Sequence, residues 1–227
     1  MRPIQGVLFD LHSTLVDQGD PDMWLALAEA ASGSSVDGPQ REGLTAFLAR
    51  VWGHASEFDP DNERDISAER HREVFGRLMD HRYPELDSGT VDALYQTITD
   101  AWTAYDDSIP MFTELKALGI RTALVSNAGI DIRPVLVRTG IQRFLDAEII
   151  SGEHGIVKPG PAIFELALDR IDVEPEDALM VGDSFRDDSG AAAIGVRTLL
   201  LPRTSGSVHG LDAVAALVRA SRTGSAC

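Results

Sequence analysis

Cysteine is nearly missing from this chain: one residue of 227, Cys227, and it is the last. That count excludes an internal disulfide and any cysteine metal cage. Long apolar runs are missing as well. None approaches the roughly 20 residues that a membrane span needs. Met1-Arg2-Pro3-Ile4-Gln5 leads at once into a strand-like run, so no secretory leader is expected. Positive charge is scarce too, with 20 Lys and Arg against 36 Asp and Glu and a net charge of −16. Such a balance repels phosphate backbones and anionic lipid, so neither nucleic acid nor membrane is expected as a partner. Internal repeats are absent, and low complexity is confined to a frayed tail from Ser221 to Cys227. What remains is the expectation of a soluble, cytoplasmic globular protein, which 44% hydrophobic and 25% charged residues fit.

The pattern along the chain is α/β. Strand-like runs recur at Ile4 to Asp10, Arg121 to Asn127, Ala147 to Ser151, Ala178 to Asp183 and Arg197 to Leu201. Helical segments lie between the later ones: Met111 to Leu118, Ile132 to Phe144, Pro161 to Ile171 and a short Gly190 to Ile194 piece, with Leu211 to Ser221 closing the chain. This alternation implies a parallel sheet covered on both faces. Runs such as Ala178-Leu179-Met180-Val181 are apolar without alternation, as strands buried on both faces are.

From about Val16 to Asp107 no strand is expected, only helical periodicity. Leu44, Phe47, Leu48 and Val51 form an i, i+3, i+4, i+7 stripe, Val74, Phe75 and Leu78 mark another helix, and Val91, Leu94, Tyr95, Ile98 and Trp102 a further one. The expected division is an α/β core over 1–16 and 107–227, with an all-helical cap inserted over 17–106.

Four segments place a polar residue directly after a buried strand or just before a helix: Asp10 with His12 and Thr14; Ser126-Asn127; Lys158 ahead of Pro159; and Gly182-Asp183-Ser184 with Asp187 and Asp188 close behind. In a parallel sheet the strand carboxyl ends share one edge, so these residues converge. At an effective dielectric near 20, two ionised carboxylates ~4 Å apart repel by about 4 kcal/mol. Lys158 offsets one charge, and a divalent cation with oxygen ligands accounts for the rest; Mg2+ suits a few carboxylates, waters and a substrate phosphate. Each residue also has a plainer use. Asp10 could cap a turn, His12 could be a loop histidine, Ser126-Asn127 a helix N-cap pair, Lys158 a surface lysine, and Asp187 or Asp188 a charge balancing a helix dipole.

The ordered set Phe-Asp-x-x-x-Thr-Leu, strand-Ser-Asn, Lys-Pro and Val-Gly-Asp-Ser resembles the haloacid dehalogenase (HAD) superfamily of hydrolases, from Val7 to about Gly195. The resemblance implies a Rossmann-like core with a first-type (C1) helical cap. It implies Asp10 as a nucleophile that forms an aspartyl-phosphate, and catalytic roles for His12, Ser126 and Lys158. Thr14, Ser126, Asn127 and Lys158 would contact substrate, and Mg2+ would be held by Asp10, the backbone carbonyl of His12, Asp183 and either Asp187 or Asp188, with Asp188 favoured. The expected activity is hydrolysis of a small phosphorylated metabolite by a monomer or homodimer.

Two departures stand out. His12 occupies the place of a second aspartate, and Ser13 that of a glycine. An imidazole with a reference pKa near 6.5 can move protons near neutrality. The alternatives are a metal-independent dehalogenase-type hydrolase and a catalytically degenerate, ligand-binding member. In the insert, Trp24, Trp52, His54, Phe58, Arg64, His71 and Arg72 are candidate substrate contacts, and Arg50 or Arg64 could meet a substrate anion.

Overall fold

The computed structural model describes residues 2–55, 57–204 and 206–223. Its strands are β1 (Gly6–Phe9), β2 (Val16–Asp17), β3 (Thr103–Ala104), β4 (Arg121–Ser126), β5 (Ala147–Ile150), β6 (Ala178–Gly182) and β7 (Arg197–Leu200). Five of them form one parallel sheet in the order β5-β4-β1-β6-β7. The order reverses at β1, so both β1–β4 and β1–β6 are crossovers, and the crevice beyond their carboxyl ends is where such sheets bind ligands.

Side chains on successive positions of a strand serve opposite faces. Val7, Phe9, Leu124, Leu179 and Val181 point into one apolar cluster and Leu8, Ala123, Val125 and Met180 into another. The first cluster is roofed by α6 (Ser108–Ala117), α7 (Arg133–Arg138) and α10 (Asp212–Thr223), the second by α9 (Pro161–Ile171). The Phe9 ring lies 5.0 Å from that of Phe112. Burying such a side chain is worth about 1.5–3 kcal/mol, and burial on both faces explains why these strands do not alternate.

Between β2 and β3 run five helices, α1 (Pro21–Ser32), α2 (Gly38–Leu48), α3 (Val51–Ala55), α4 (Ala68–Arg82) and α5 (Ser88–Gln96), plus a 3₁₀ turn at Glu63–Ile66. They enclose a third apolar cluster of their own, including Trp24, Leu25, Leu44, Phe47, Phe75, Leu78 and Leu94. Asp20, Ser67 and Asp87 cap α1, α4 and α5 through their side chains.

Three expectations need correction. The interval from Val16 to Asp107 does contain strand: β2 and β3 pair antiparallel, Val16 with Ala104 and Asp17 with Thr103. The chain leaves and re-enters the core there side by side, and the two extended segments satisfy each other's backbone groups. The helix expected over Ile132 to Phe144 is split, because Gly140 turns the chain at φ +73° between α7 and a 3₁₀ turn at Gln142–Phe144. The short piece before Gly195 is a 3₁₀ helix starting at Asp188 rather than Gly190. Of the tail expected to fray, Ser221–Thr223 belong to α10, and 224–227, Cys227 included, lie outside the described residues. No described helix is long and apolar enough to cross a membrane.

Candidate active site

Asp10 follows the last residue of β1, and its amide still donates to the Val181 carbonyl (2.9 Å), so the strand ladder fixes where the side chain emerges. The chain then turns tightly, with Thr14 and Leu15 amides donating back to the Leu11 carbonyl. Ser13 sits in the turn at φ +63°, a conformation that costs any residue but glycine, which gives the substitution at this position its physical meaning. Thr14 Oγ1 donates to Asp10 Oδ2 (3.1 Å) and Lys158 Nζ to Oδ1 (2.7 Å), so both carboxylate oxygens are held.

Lys158 also donates to Asp188 Oδ1 at 2.7 Å. Two carboxylates therefore share one ammonium, and the set keeps a negative charge in excess. Burial raises the pKa of both Asp10 and Asp188, against the pull of Lys158. For Lys158 burial opposes charge, but the two carboxylates outweigh it and hold the ammonium above the ordinary lysine value. The lysine is aimed by Asn127: the Asn127 Nδ2 donates to the Lys158 carbonyl (3.0 Å) while the Lys158 amide donates to Asn127 Oδ1 (2.8 Å).

Asp10, Asp183 and Asp188 each offer an oxygen, all within 4.8 Å of one another. Gly182 makes this possible, because a Cβ there would fall 2.1 Å from Asp188 Oδ2. Asp187 turns away, accepting from Ser184 Oγ (2.8 Å), while the Ser184 amide donates to Asp188 (2.9 Å). The Asp183 carboxylate receives the guanidinium of Arg203, whose side chain is 71% exposed. Burial raises Asp183 and Arg203 counteracts it.

His12 lines the same space. Its ring packs on Trp102 (centroids 5.0 Å), Nδ1 meets Ser13 Oγ at 3.2 Å, and among the described residues the buried Nε2 has no hydrogen-bond partner. Burial, then the nearby Arg203 charge, lower its pKa to about 4. The imidazole is thus held in its neutral form at pH 7.

These residues face a cavity of about 340 Å³. Its floor is Asp10, His12, Asn127, Lys158, Asp183, Asp187 and Asp188; its roof comes from the helical insert, chiefly Arg50, Trp52, Asn62, Arg64, Asp65 and His71. Two expected substrate contacts are not on the wall: Thr14 stands behind Asp10, and Ser126 is buried at the end of β4. Of the insert candidates, Trp52, Arg64 and His71 reach the cavity. Trp24 instead donates to the Leu94 carbonyl inside the insert, Arg72 pairs with Asp92, Phe58 packs against His81, and His54 stacks on Phe47 beside a separate groove. His71 is buried, bonded to Tyr95 Oη and lowered to about 3 by burial and by Arg64.

Ser151 and Gly129 seat the roof on the floor. Ser151 Oγ donates to the Asp65 carbonyl and receives the Ala128 amide (2.9 Å). A Cβ on Gly129 would lie 2.1 Å from the Arg64 carbonyl. Asp65, Asn62, Gln18 and Arg203 are not singled out from the sequence, and Trp102 is read there only as part of a helical apolar stripe. Only Arg203, three residues past the end of β7, shares the positional signal that the others show.

A family model for haloacid dehalogenase-like hydrolases matches residues 4–195. The chain belongs to that family. Over 203 residues it is 30% identical to a glyceraldehyde 3-phosphate phosphatase of Methanopyrus kandleri, covering 88% of this chain and 84% of the other. It is 28% identical over 206 residues to (S)-2-haloacid dehalogenase 1 of a Pseudomonas species, covering 89% and 86%. In fold it is similar to a HAD phosphatase from Thermococcus onnurineus, with a TM-score of 0.63 and 22% identity over 95% of this chain and 98% of that one.

Proposed function

We propose that this hydrolase is a Mg2+-dependent phosphatase of a small phosphorylated metabolite, with Asp10 as nucleophile. One observation carries the reading: three carboxylates converge within 4.8 Å around a site that holds a single, shared ammonium. An attack at carbon needs one carboxylate, not three. The donors are all hard oxygens, which fit Mg2+. Asp10, Asp183 and Asp188 would hold it, with the His12 carbonyl a fourth candidate. When bound, the ion supplies Lewis-acid stabilisation of phosphoryl charge.

The chain's own residues do the rest. Asp10, oriented by Thr14 and Lys158, attacks phosphorus and becomes an aspartyl-phosphate; water then releases phosphate and restores the carboxylate. Lys158, pinned by Asn127, stabilises charge that builds up between nucleophile and phosphoryl oxygens. The helical insert acts as a cap, and a roof of Trp52, Arg64 and His71 keeps water out and limits substrate size. A cavity of about 340 Å³ suits a small metabolite.

The test is turnover of an aryl phosphate and a phosphometabolite panel, with and without Mg2+, alongside Asp10→Asn. Mg2+-dependent phosphate release that vanishes in the variant is the expected result. A second reading, a 2-haloacid dehalogenase, is favoured by the missing carboxyl at position 12 and by the neutralisation of Asp183 by Arg203. Halide release without metal would establish it instead.

A further inference from the structure

We propose that Asp65, delivered by the helical insert, is the proton-transfer group of the reaction, doing the work for which position 12 offers no carboxyl. The inference rests on the phosphatase reading above. Departure of an alkoxide from phosphorus needs a proton, and activation of the attacking water needs a base.

Five carboxylates line the cavity, and four are engaged. Asp10 is bound by Thr14 and Lys158, Asp188 by Lys158 and the Ser184 amide, Asp183 by Arg203, and Asp187 by Ser184 Oγ. Among the described residues, the Asp65 carboxylate accepts no hydrogen bond, and its ion-pair partner is Arg64 Nη2 at 3.6 Å. Its backbone, by contrast, is fixed. The Ser151 hydroxyl holds the Asp65 carbonyl, and the Arg64 carbonyl presses on Gly129 where no side chain would fit. Both anchors belong to segments that follow the strands carrying Asn127 and leading to Lys158. The carboxyl group is thus free while its attachment is rigid, which is what a group that must gain and lose a proton at a fixed place requires.

The charges facing it are Arg64 and Asp59 from the insert and Asp187 and Lys158 from the core. Burial, opposed by Arg64 and reinforced by Asp59 and Asp187, raises its pKa to about 6. A carboxyl in that range exchanges protons efficiently near neutrality.

The protons balance over two steps. As an Asp10 oxygen bonds to phosphorus and the bond to the leaving oxygen breaks, Asp65 gives its proton to that oxygen, releasing an alcohol. Asp65, now ionised, then takes a proton from the water that attacks the aspartyl-phosphate. Cleavage of the Asp10–phosphorus bond frees phosphate, and Asp65 ends protonated again.

The experiment compares the single-turnover rate of alcohol release, the first step alone, from nitrophenyl phosphate, whose phenolate departs without help, and from glycerol phosphate, whose alkoxide does not, in the wild type, Asp65→Asn and Asp65→Glu. Expected is a loss of about 10² to 10⁴-fold for Asp65→Asn on the alkyl ester, a much smaller one on the aryl ester, and partial recovery in Asp65→Glu. In the wild type the alkyl-ester rate should fall as pH rises through about 6, where Asp65 loses the proton it must give, and this alkaline limb should disappear in Asp65→Asn. An equal loss on both esters would mark Asp65 as merely structural and overturn the proposal, as would no loss. A wild type that hydrolyses neither ester would instead defeat the phosphatase reading, a result visible before any variant is made.

Discussion

Replacing Gly182 with alanine should disable the acidic cluster without touching any of its members. The added Cβ would sit 2.1 Å from Asp188 Oδ2 and 2.2 Å from its Cγ, against a floor of about 3.0 Å for real contacts. Asp188 must retreat by roughly 1 Å, a displacement large enough to cost about 10²-fold where groups have to be aligned. Two hydrogen bonds go with it, the 2.7 Å bond from Lys158 and the 2.9 Å bond from the Ser184 amide. At about 1.5–3 kcal/mol for each bond to a charged group, less whatever relaxation restores, a net destabilisation of about 2–4 kcal/mol follows. For a chain of this size that is a drop in Tm of roughly 4–16 °C. The assay is a calorimetric melt of Gly182→Ala beside a Mg2+ titration of both proteins. Superimposable melts and titrations would refute the reasoning, because they would mean that the strand end and Asp188 are not in the contact described.

Three further outcomes are expected. Saturating Mg2+ at 100 times its Kd should stabilise the protein by about 2.7 kcal/mol, and a thermal melt of Asp183→Asn should lose that gain. Arg203→Gln should bind Mg2+ about 1.4- to fivefold more tightly by calorimetry, since an ion pair of about 0.2–1 kcal/mol no longer competes for Asp183; unchanged affinity would show that the guanidinium does not compete. The third concerns pH. His71 is about 3 folded and 6.5 as a free side chain, so the unfolded chain takes up the proton first. Its stability contribution is therefore complete above 6.5 and declines as pH falls; by pH 5 about 2 kcal/mol is gone. Asp65, raised when folded, works in the opposite sense. A His71→Leu variant should lose less Tm than the wild type between pH 7.5 and 5, and an identical slope would count against the assignment.

The strand ends were readable in advance because two signals coincide there, an apolar run buried on both faces and an abrupt polar residue. Asp10, Asn127 and Asp183 stand out that way, Lys158 by its place just ahead of a helix, and the structure brings all four to one cavity. The roles of neighbours were less legible. Asn127 looks like a substrate contact in sequence, and its amide also makes two bonds to the Lys158 backbone, a positioning role the sequence does not show. Spacing favours Asp188 over Asp187 without deciding between them; the space at Gly182 is what lets the Asp188 carboxylate turn inward. Two-residue strands such as β2 and β3 are too short to show any period. Asp65 was invisible for another reason: nothing in Glu63–Ile66 distinguishes it from other acidic residues until that turn is docked 86 positions away on Ser151.

That docking point has a consequence for interchange of parts. The residue that receives the roof, Gly129, lies two positions after the amide that aims Lys158, so floor and roof are read from one short loop. A helical insert taken from a relative could be spliced at β2 and β3, where only four residues pair, and still fail to form a working cavity. Its counterpart of Arg64–Asp65 would have to present a backbone shaped to a surface with no side chain. Transplants made with residues 126–129 and 151 included should therefore succeed where those exchanged at the ribbon alone do not.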